Sequence, residues 1–234
     1  MSEQMTEEQL VFQERLNSGT TKTNNLQFEK DGYLVIKNLW NPQELYRQVP
    51  QERGQITYWG KRLDQFDYCE VEQQVEGSLA CYWHPQYRSI HSSIRLKLEK
   101  IIGNKLYNTY YYDRFYFPAQ ALTRHADRDA CEISVTVHIS TTLKKQWPIW
   151  IKTPDTYTDE KKKKVLVTGE NRSVILNAGD GMVYKGCERP HWRDPMSGKK
   201  KSWWNKKEDY YHQIFFHYVL ADGIRSHFAF DAAK

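Results

Sequence analysis

His125, Ala126 and Asp127 form a His-x-Asp triplet, and a second histidine, His191, stands far downstream in a Pro-His-Trp-Arg run. Side chains at i and i+2 point to the same side of an extended chain. His125 and Asp127 can therefore reach one metal from a single strand end while Ala126 turns away. A third ligand must come from another strand, and His191, flanked by Pro190 and Trp192, is the candidate. Two imidazole nitrogens and one carboxylate can fill one face of an octahedral ion and leave the opposite face open. Such a set accepts Fe(II), Mn(II), Co(II) or Zn(II), and with open positions it suits the oxygen chemistry of non-haem Fe(II).

Those ligands need strands to carry them. From residue 106 onward the chain reads as short apolar or alternating runs punctuated by turns: 106–116, 131–140, 147–152, 164–168, 172–176, 181–185, 190–193 and 210–220. Ahead of them, 87–102 has the pattern of a helix ended by Gly103. Residues 32–39 read as a short strand, and Pro42 can open a short helix. Residues 4–16 have the pattern of an amphipathic helix, with Thr6 and Gln9 as the two ends of a capping box. Eight strands after a helical lead-in predict a mainly β protein with flanking helices (α+β), built on a double-stranded β-helix, the jelly roll of cupins. The expected organisation is one domain over 1–234. Helices and supporting strands occupy 1–104, the core 105–222 and a tail 223–234.

Composition removes several other classes. No stretch approaches the roughly 20 apolar residues that span a bilayer, so no membrane partner is expected. The first thirty residues lack an apolar signal-peptide core, which points to the cytoplasm. Cys69, Cys81, Cys131 and Cys187 have no CxxC spacing and read as reduced thiols. Lysine runs at 161–164 and 199–207, the second interleaved with Trp203 and Trp204, raise the question of nucleic acid. A net charge of only +5, with 29 acidic residues diluting the field, favours solvated loops instead. The second run precedes the last strand and is expected near the mouth of the metal site, as a substrate lid.

Four segments carry a resemblance to a known family: YNTYYYDRFY at 107–116, then FPAQALTRHADRDACEISVTVHIS, then NAGDGMVYKGCERPHWRDP, and HQIFFHYV. In this order they resemble the iron(II) and 2-oxoglutarate-dependent oxygenases, of the prolyl 4-hydroxylase-like or phytanoyl-CoA hydroxylase-like kind, over roughly residues 85–222. The resemblance implies Fe(II) on His125, Asp127 and His191, with 2-oxoglutarate and O2 as co-substrates. It also implies Tyr116 as a hydrogen-bond partner of 2-oxoglutarate, and hydroxylation of a C–H bond in a peptide or small molecule with release of succinate and CO2. Two departures stand out. Ala119 replaces the glycine common in the turn before the motif, and the last strand lacks the lysine or arginine that usually holds the far carboxylate of 2-oxoglutarate.

Arg193, two residues after His191 and on the same side of its strand, is the first candidate for that carboxylate. Lys152 is the second; Lys201 matches the family's count but falls in a loop. His84, His91, His138, His212, His217 and His227 read as structural, with His217 on a face that can line the barrel. Arg128 and Glu132 are expected to pair beside the metal loop, or Arg128 to touch substrate. Asp129 and Asp194 are candidate partners for metal-bound imidazoles. Asp180 is expected to stabilise its own turn. The competing readings are a cupin-like metal protein without 2-oxoglutarate and a nucleic-acid-binding module that uses the basic loops.

Overall fold

A computed structural model describes residues 21–49, 70–71, 74–160, 163–204 and 207–230. The 4–16 helix and Cys69 lie outside these residues, as do parts of both lysine runs. The chain enters through α1 (Leu26–Asp31), β1 (Tyr33–Ile36) and α2 (Pro42–Leu45), then β2 (Glu70–Val71), β3 (Leu79–Tyr82) and the long α3 (Arg88–Ile102). Ten strands come next: β4 (Leu106–Tyr116), β5 (Leu122–His125), β6 (Ile133–Thr141), β7 (Ile149–Lys152), β8 (Thr156–Glu160), β9 (Lys163–Val167), β10 (Asn171–Val174), β11 (Gly181–Tyr184), β12 (His191–Arg193) and β13 (Tyr211–Leu220).

Seven strands form a major sheet in the order β1-β11-β6-β13-β4-β3-β2, and four form a minor sheet, β10-β7-β12-β5; β8 and β9 make a separate hairpin. Every pairing is antiparallel. Alternation along the strands sorts the side chains. Ile149, Ile151 and Val174 of the minor sheet meet Met182 and Tyr184 of the major sheet between the layers. On the outer side of the major sheet, Ile90, Ile94, Leu98 and Ile102 of α3 pack on Tyr111, Val135, Phe216 and Tyr218. The major sheet is thus covered on both faces, which is why β13 is buried at all ten positions. The helix that covers it stops at Gly103, whose left-handed φ of 76° lets its N–H close on the Glu99 carbonyl.

The architecture is the expected double-stranded β-helix with flanking helices. β4 spans the predicted 106–116. β6 begins two residues late, because Asp129–Cys131 winds into a 3₁₀ turn. Three strands were not anticipated, β2, β3 and β8, and β5 was expected only as a strand end at His125, without bounds. In β5 only Leu122 is buried, so no apolar alternation marks it, and its pairing with β12 defines it. The unpredicted α1 is held by its ends rather than by an apolar stripe: Asn25 Oδ1 accepts from Phe28 N at 2.9 Å, and Gly32 closes the other end at φ 75°. Cys81, Cys131 and Cys187 are buried and form no disulfide among the described residues, as expected of reduced thiols. Among the described residues no helix is long and apolar enough to cross a membrane.

Candidate metal centre and the lumen behind it

β5 ends on His125 and β12 begins on His191, and the two are Cα partners across the minor sheet. Their rings lie 4.3 Å apart between centroids. Asp127 lies on the loop to β6, where its N–H donates to the Gly186 carbonyl at 2.9 Å. Its Oδ1 is 3.4 Å from His125 Nε2 and 3.5 Å from His191 Nε2. These separations are long for a hydrogen bond, and suit donors that share one ion at bonds of about 2.1 Å.

The outward atoms of all three ligands are already occupied. His125 Nδ1 sits 2.8 Å from the Thr123 carbonyl and His191 Nδ1 3.0 Å from the Arg189 carbonyl. A carbonyl can only accept, so each Nδ1 carries the proton and each Nε2 keeps its lone pair for a metal. Asp127 Oδ2 accepts from Ser134 Oγ at 2.9 Å. Burial would raise the Asp127 carboxyl, but the two histidines outweigh it and hold the group well below the usual carboxylate range. His191, which burial would lower, is raised by Asp127. His125, with 22% of its side chain exposed, marks the open side, while His191 is enclosed. The donor set therefore fits a divalent cation.

Gly186 is part of this construction. A Cβ there would fall 2.2 Å from the Cys131 carbonyl and 2.6 Å from both Asp127 Oδ2 and Ser134 Oγ. Asp127, Cys131 and His217 also lie close enough together to suggest a second ligand group. Burial, however, raises the Cys131 thiol well above its ordinary value and keeps it protonated. His217 instead places Nδ1 2.9 Å from Ser134 Oγ. Since Ser134 gives its one proton to the carboxylate, His217 is the donor to Ser134, and its Nε2 is left as a buried acceptor with no partner among the described residues.

Several expected contacts are replaced. Glu132 faces Arg225 and Thr21 and accepts from Leu220 N rather than meeting Arg128, which lies over the Tyr110 ring. Asp129 pairs with Arg225, and Asp194 accepts from Trp150 Nε1, so main-chain carbonyls take the place expected for these carboxylates. His138 donates to the Leu176 carbonyl and His212 meets Asp113, both structural as anticipated. Asp180 does stabilise its turn, accepting from Asn177 N and also from Asn38 N and Lys37.

Behind the metal ligands the lumen holds two fully buried arginines. Arg193 Nη1 donates to the Trp147 carbonyl at 2.6 Å and Nη2 to Gln213 Oε1 at 2.7 Å. The guanidinium lies 4.6 Å from the Trp147 ring and 4.7 Å from that of Tyr211. Its Nε has no partner, and among the described residues no carboxylate pairs with it. Arg114, which the sequence reading missed, sits on β4 opposite Gln213 and donates from Nη1 to the Tyr116 hydroxyl at 3.1 Å. The signal was available, since Arg114 and Tyr116 share the inward parity of one strand. Tyr116 packs edge-on to Trp147, the ring that also covers Arg193.

Lys152 does not join this group. Ile151 pairs with His191 and is buried, so the next residue points to the outer face, where Lys152 meets Asp155 at 2.9 Å. The predicted lid is also misplaced. β12 starts at the metal and runs away from it, and β13 starts at Tyr211, opposite Tyr116 and Thr141. The lysine-rich connection between them, Lys201 included, therefore emerges at the opposite end of the barrel. There a cavity of about 470 Å³ opens, lined by His138, Leu143, Trp147, Leu176 and Tyr211.

No family model and no curated protein matches the sequence. Solved structures do match in fold. A prolyl-4-hydroxylase of Pseudomonas putida superposes with a TM-score of 0.52 at 14% identity, covering 82% of this chain and 95% of its own. An oxidoreductase of the 2OG-Fe(II) oxygenase family from Burkholderia pseudomallei gives 0.53 at 10% identity, covering 82% and 87%. The epimerase SnoN, in complex with Fe3+, alpha-ketoglutarate and nogalamycin RO, gives 0.53 at 10% identity, covering 83% and 81%. By its fold, the chain is a double-stranded β-helix, the architecture it shares with these three solved structures.

Proposed function

We propose that the protein is an Fe(II)- and 2-oxoglutarate-dependent dioxygenase. In this reading it hydroxylates a C–H bond of a peptide residue or small molecule and releases succinate and CO2. The observation that carries it is Arg193, a buried guanidinium with no counter-ion among the described residues, two residues inward from His191 on the same strand face. Burying such a charge unpaired is costly, and a dicarboxylate would relieve it. A two-residue step is about 6.6 Å, close to the span of a five-carbon dicarboxylate.

The residues then divide the work. His125, Asp127 and His191 would hold Fe(II), which with 2-oxoglutarate supplies the O2 chemistry. Arg193 binds the far carboxylate, using its unpartnered Nε–H, and the rings of Trp147 and Tyr211 stop the guanidinium from swinging away. Tyr116 accepts from Arg114, which leaves its own proton to donate to the same co-substrate. His125, at the open side, borders the space from which the substrate C–H bond is presented.

Fe(II)-loaded protein is expected to convert 2-oxoglutarate slowly to succinate even without a prime substrate. Asp127→Ala should reduce succinate formation to background. Turnover that persists after the metal is removed would contradict the proposal.

A further inference from the structure

The basic connection displaced from the metal end has a physical character of its own. Trp203 and Trp204 are 84% and 85% exposed. Their rings pack on each other at 4.5 Å and 52°, and among the described residues neither has a hydrogen bond or ring contact elsewhere. The base of the loop is fixed: Lys199 N donates to Asp209 Oδ2 at 2.7 Å, Asp209 N to the Lys199 carbonyl at 2.9 Å, and Thr142 Oγ1 to Asp209 Oδ1 at 2.9 Å. Thr142 begins the neighbouring segment, which carries the exposed Lys144 and Lys145, while Lys199 and Lys201 flank the tryptophans. An apolar pair thus projects from a clamped stem, with exposed lysines before it in the chain and on the segment tied to its base.

We propose that this pair docks the protein peripherally on an anionic lipid surface. Tryptophan favours the boundary between headgroups and acyl chains, and lysines beside it are attracted to anionic headgroups. The absence of a spanning segment in the sequence argues only against crossing the bilayer, not against docking on it. Single-stranded nucleic acid fits less well. Base stacking needs ring faces set along a basic groove, whereas these rings are tilted against each other on a projecting tip. The position also suits docking: His217, at the metal end, lies about 20 Å along β13 from Tyr211, where the loop rejoins the barrel. Binding here would leave the open side of the metal site clear, whichever reaction that site performs.

The test is co-sedimentation of the whole chain with vesicles of phosphatidylcholine alone and of an equal mixture with phosphatidylserine. The protein should pellet with the mixed vesicles only, and less as salt is raised. Lipids brominated along the acyl chain should quench part of its tryptophan fluorescence. Trp203→Ser with Trp204→Ser should abolish pelleting and leave the unfolding midpoint unchanged, since both rings are exposed. Lys144→Gln and Lys145→Gln should each weaken partitioning about fivefold. Wild-type protein that ignores anionic vesicles, or a double tryptophan variant that still pellets with them, would overturn the proposal. Binding of oligo-dT through the same residues without vesicle binding would overturn it too, and would assign the loop to nucleic acid.

Discussion

The two ends of the barrel lumen are built differently. At the metal end the main chain orients the ligands: carbonyls of Thr123 and Arg189 fix the imidazoles, and the Gly186 carbonyl fixes the Asp127 backbone. At the inner end side chains do most of this work: Arg193 donates to one main-chain carbonyl, that of Trp147, but is otherwise held by the rings of Trp147 and Tyr211 and by the amide of Gln213. A main-chain bond is set by local strand geometry and survives most substitutions. A side-chain cage depends on residues from several strands and can be rebuilt with other residue types. The His125, Asp127 and His191 cluster is therefore visible in a short motif, whereas the cage around Arg193, drawn from several strands, is not.

Each end also carries a buried neutral histidine, and these give the largest expected effect. Burial, aided by Arg193, lowers His138 at the inner end to about 4. Burial, aided by Arg128 and His191, lowers His217 at the metal end to about 4. A histidine depressed in the folded state takes up protons first in the unfolded chain. The stability it contributes is complete above pH 6.5 and is lost as pH falls toward 4, by roughly 3 kcal/mol for each group. Urea midpoints of the metal-free protein across this range should drop steeply, and His138→Gln should flatten the curve by about its share. An unchanged slope in that variant would show that His138 is not the buried neutral group described here.

Gly186→Ala tests the main-chain end. The new methyl would push on Asp127 Oδ2 and the Cys131 carbonyl, so metal affinity should fall by about a hundredfold, read by titration with Mn(II). Native affinity in that variant would mean that the carboxylate is not held as tightly as its contacts imply.

The smallest effect concerns the turn before the motif. Ala119 adopts φ 73°, a left-handed conformation that favours glycine, and its N–H donates to the Met196 carbonyl at 2.8 Å. The turn thus keeps a glycine-like backbone although the residue is alanine. Ala119→Gly should relieve strain and stabilise the protein by about 1 kcal/mol, measured by thermal unfolding.

Much of this could be read from the residues. The patterns of 106–116 and 210–220 revealed the two central strands, Gly103 the end of α3, and the His-x-Asp spacing a donor cluster that the fold completes with His191. The extent of β5 was hidden, because Leu122-Thr123-Arg124-His125 has one buried apolar residue and is defined by its partner β12. Arg114 was overlooked because a charged residue amid tyrosines looks like an outward position, yet its neighbours Tyr112, Tyr116 and Phe215 enclose it. Lys152 failed on parity. The lysine loop failed on direction: if His191 begins its strand at the metal, the segment after that strand must leave at the other end.

The most direct measurement is equilibrium binding of 2-oxoglutarate without oxygen, by calorimetry, to Fe(II)-loaded protein, metal-free protein and Fe(II)-loaded Arg193→Gln. Wild-type protein should bind strongly only with the metal. Arg193→Gln should keep the metal but weaken 2-oxoglutarate by roughly 2–3 kcal/mol, the worth of a charge-assisted contact. Equal binding with and without Fe(II), or no loss in Arg193→Gln, would contradict an account in which the histidines, Asp127 and Arg193 share one ligand.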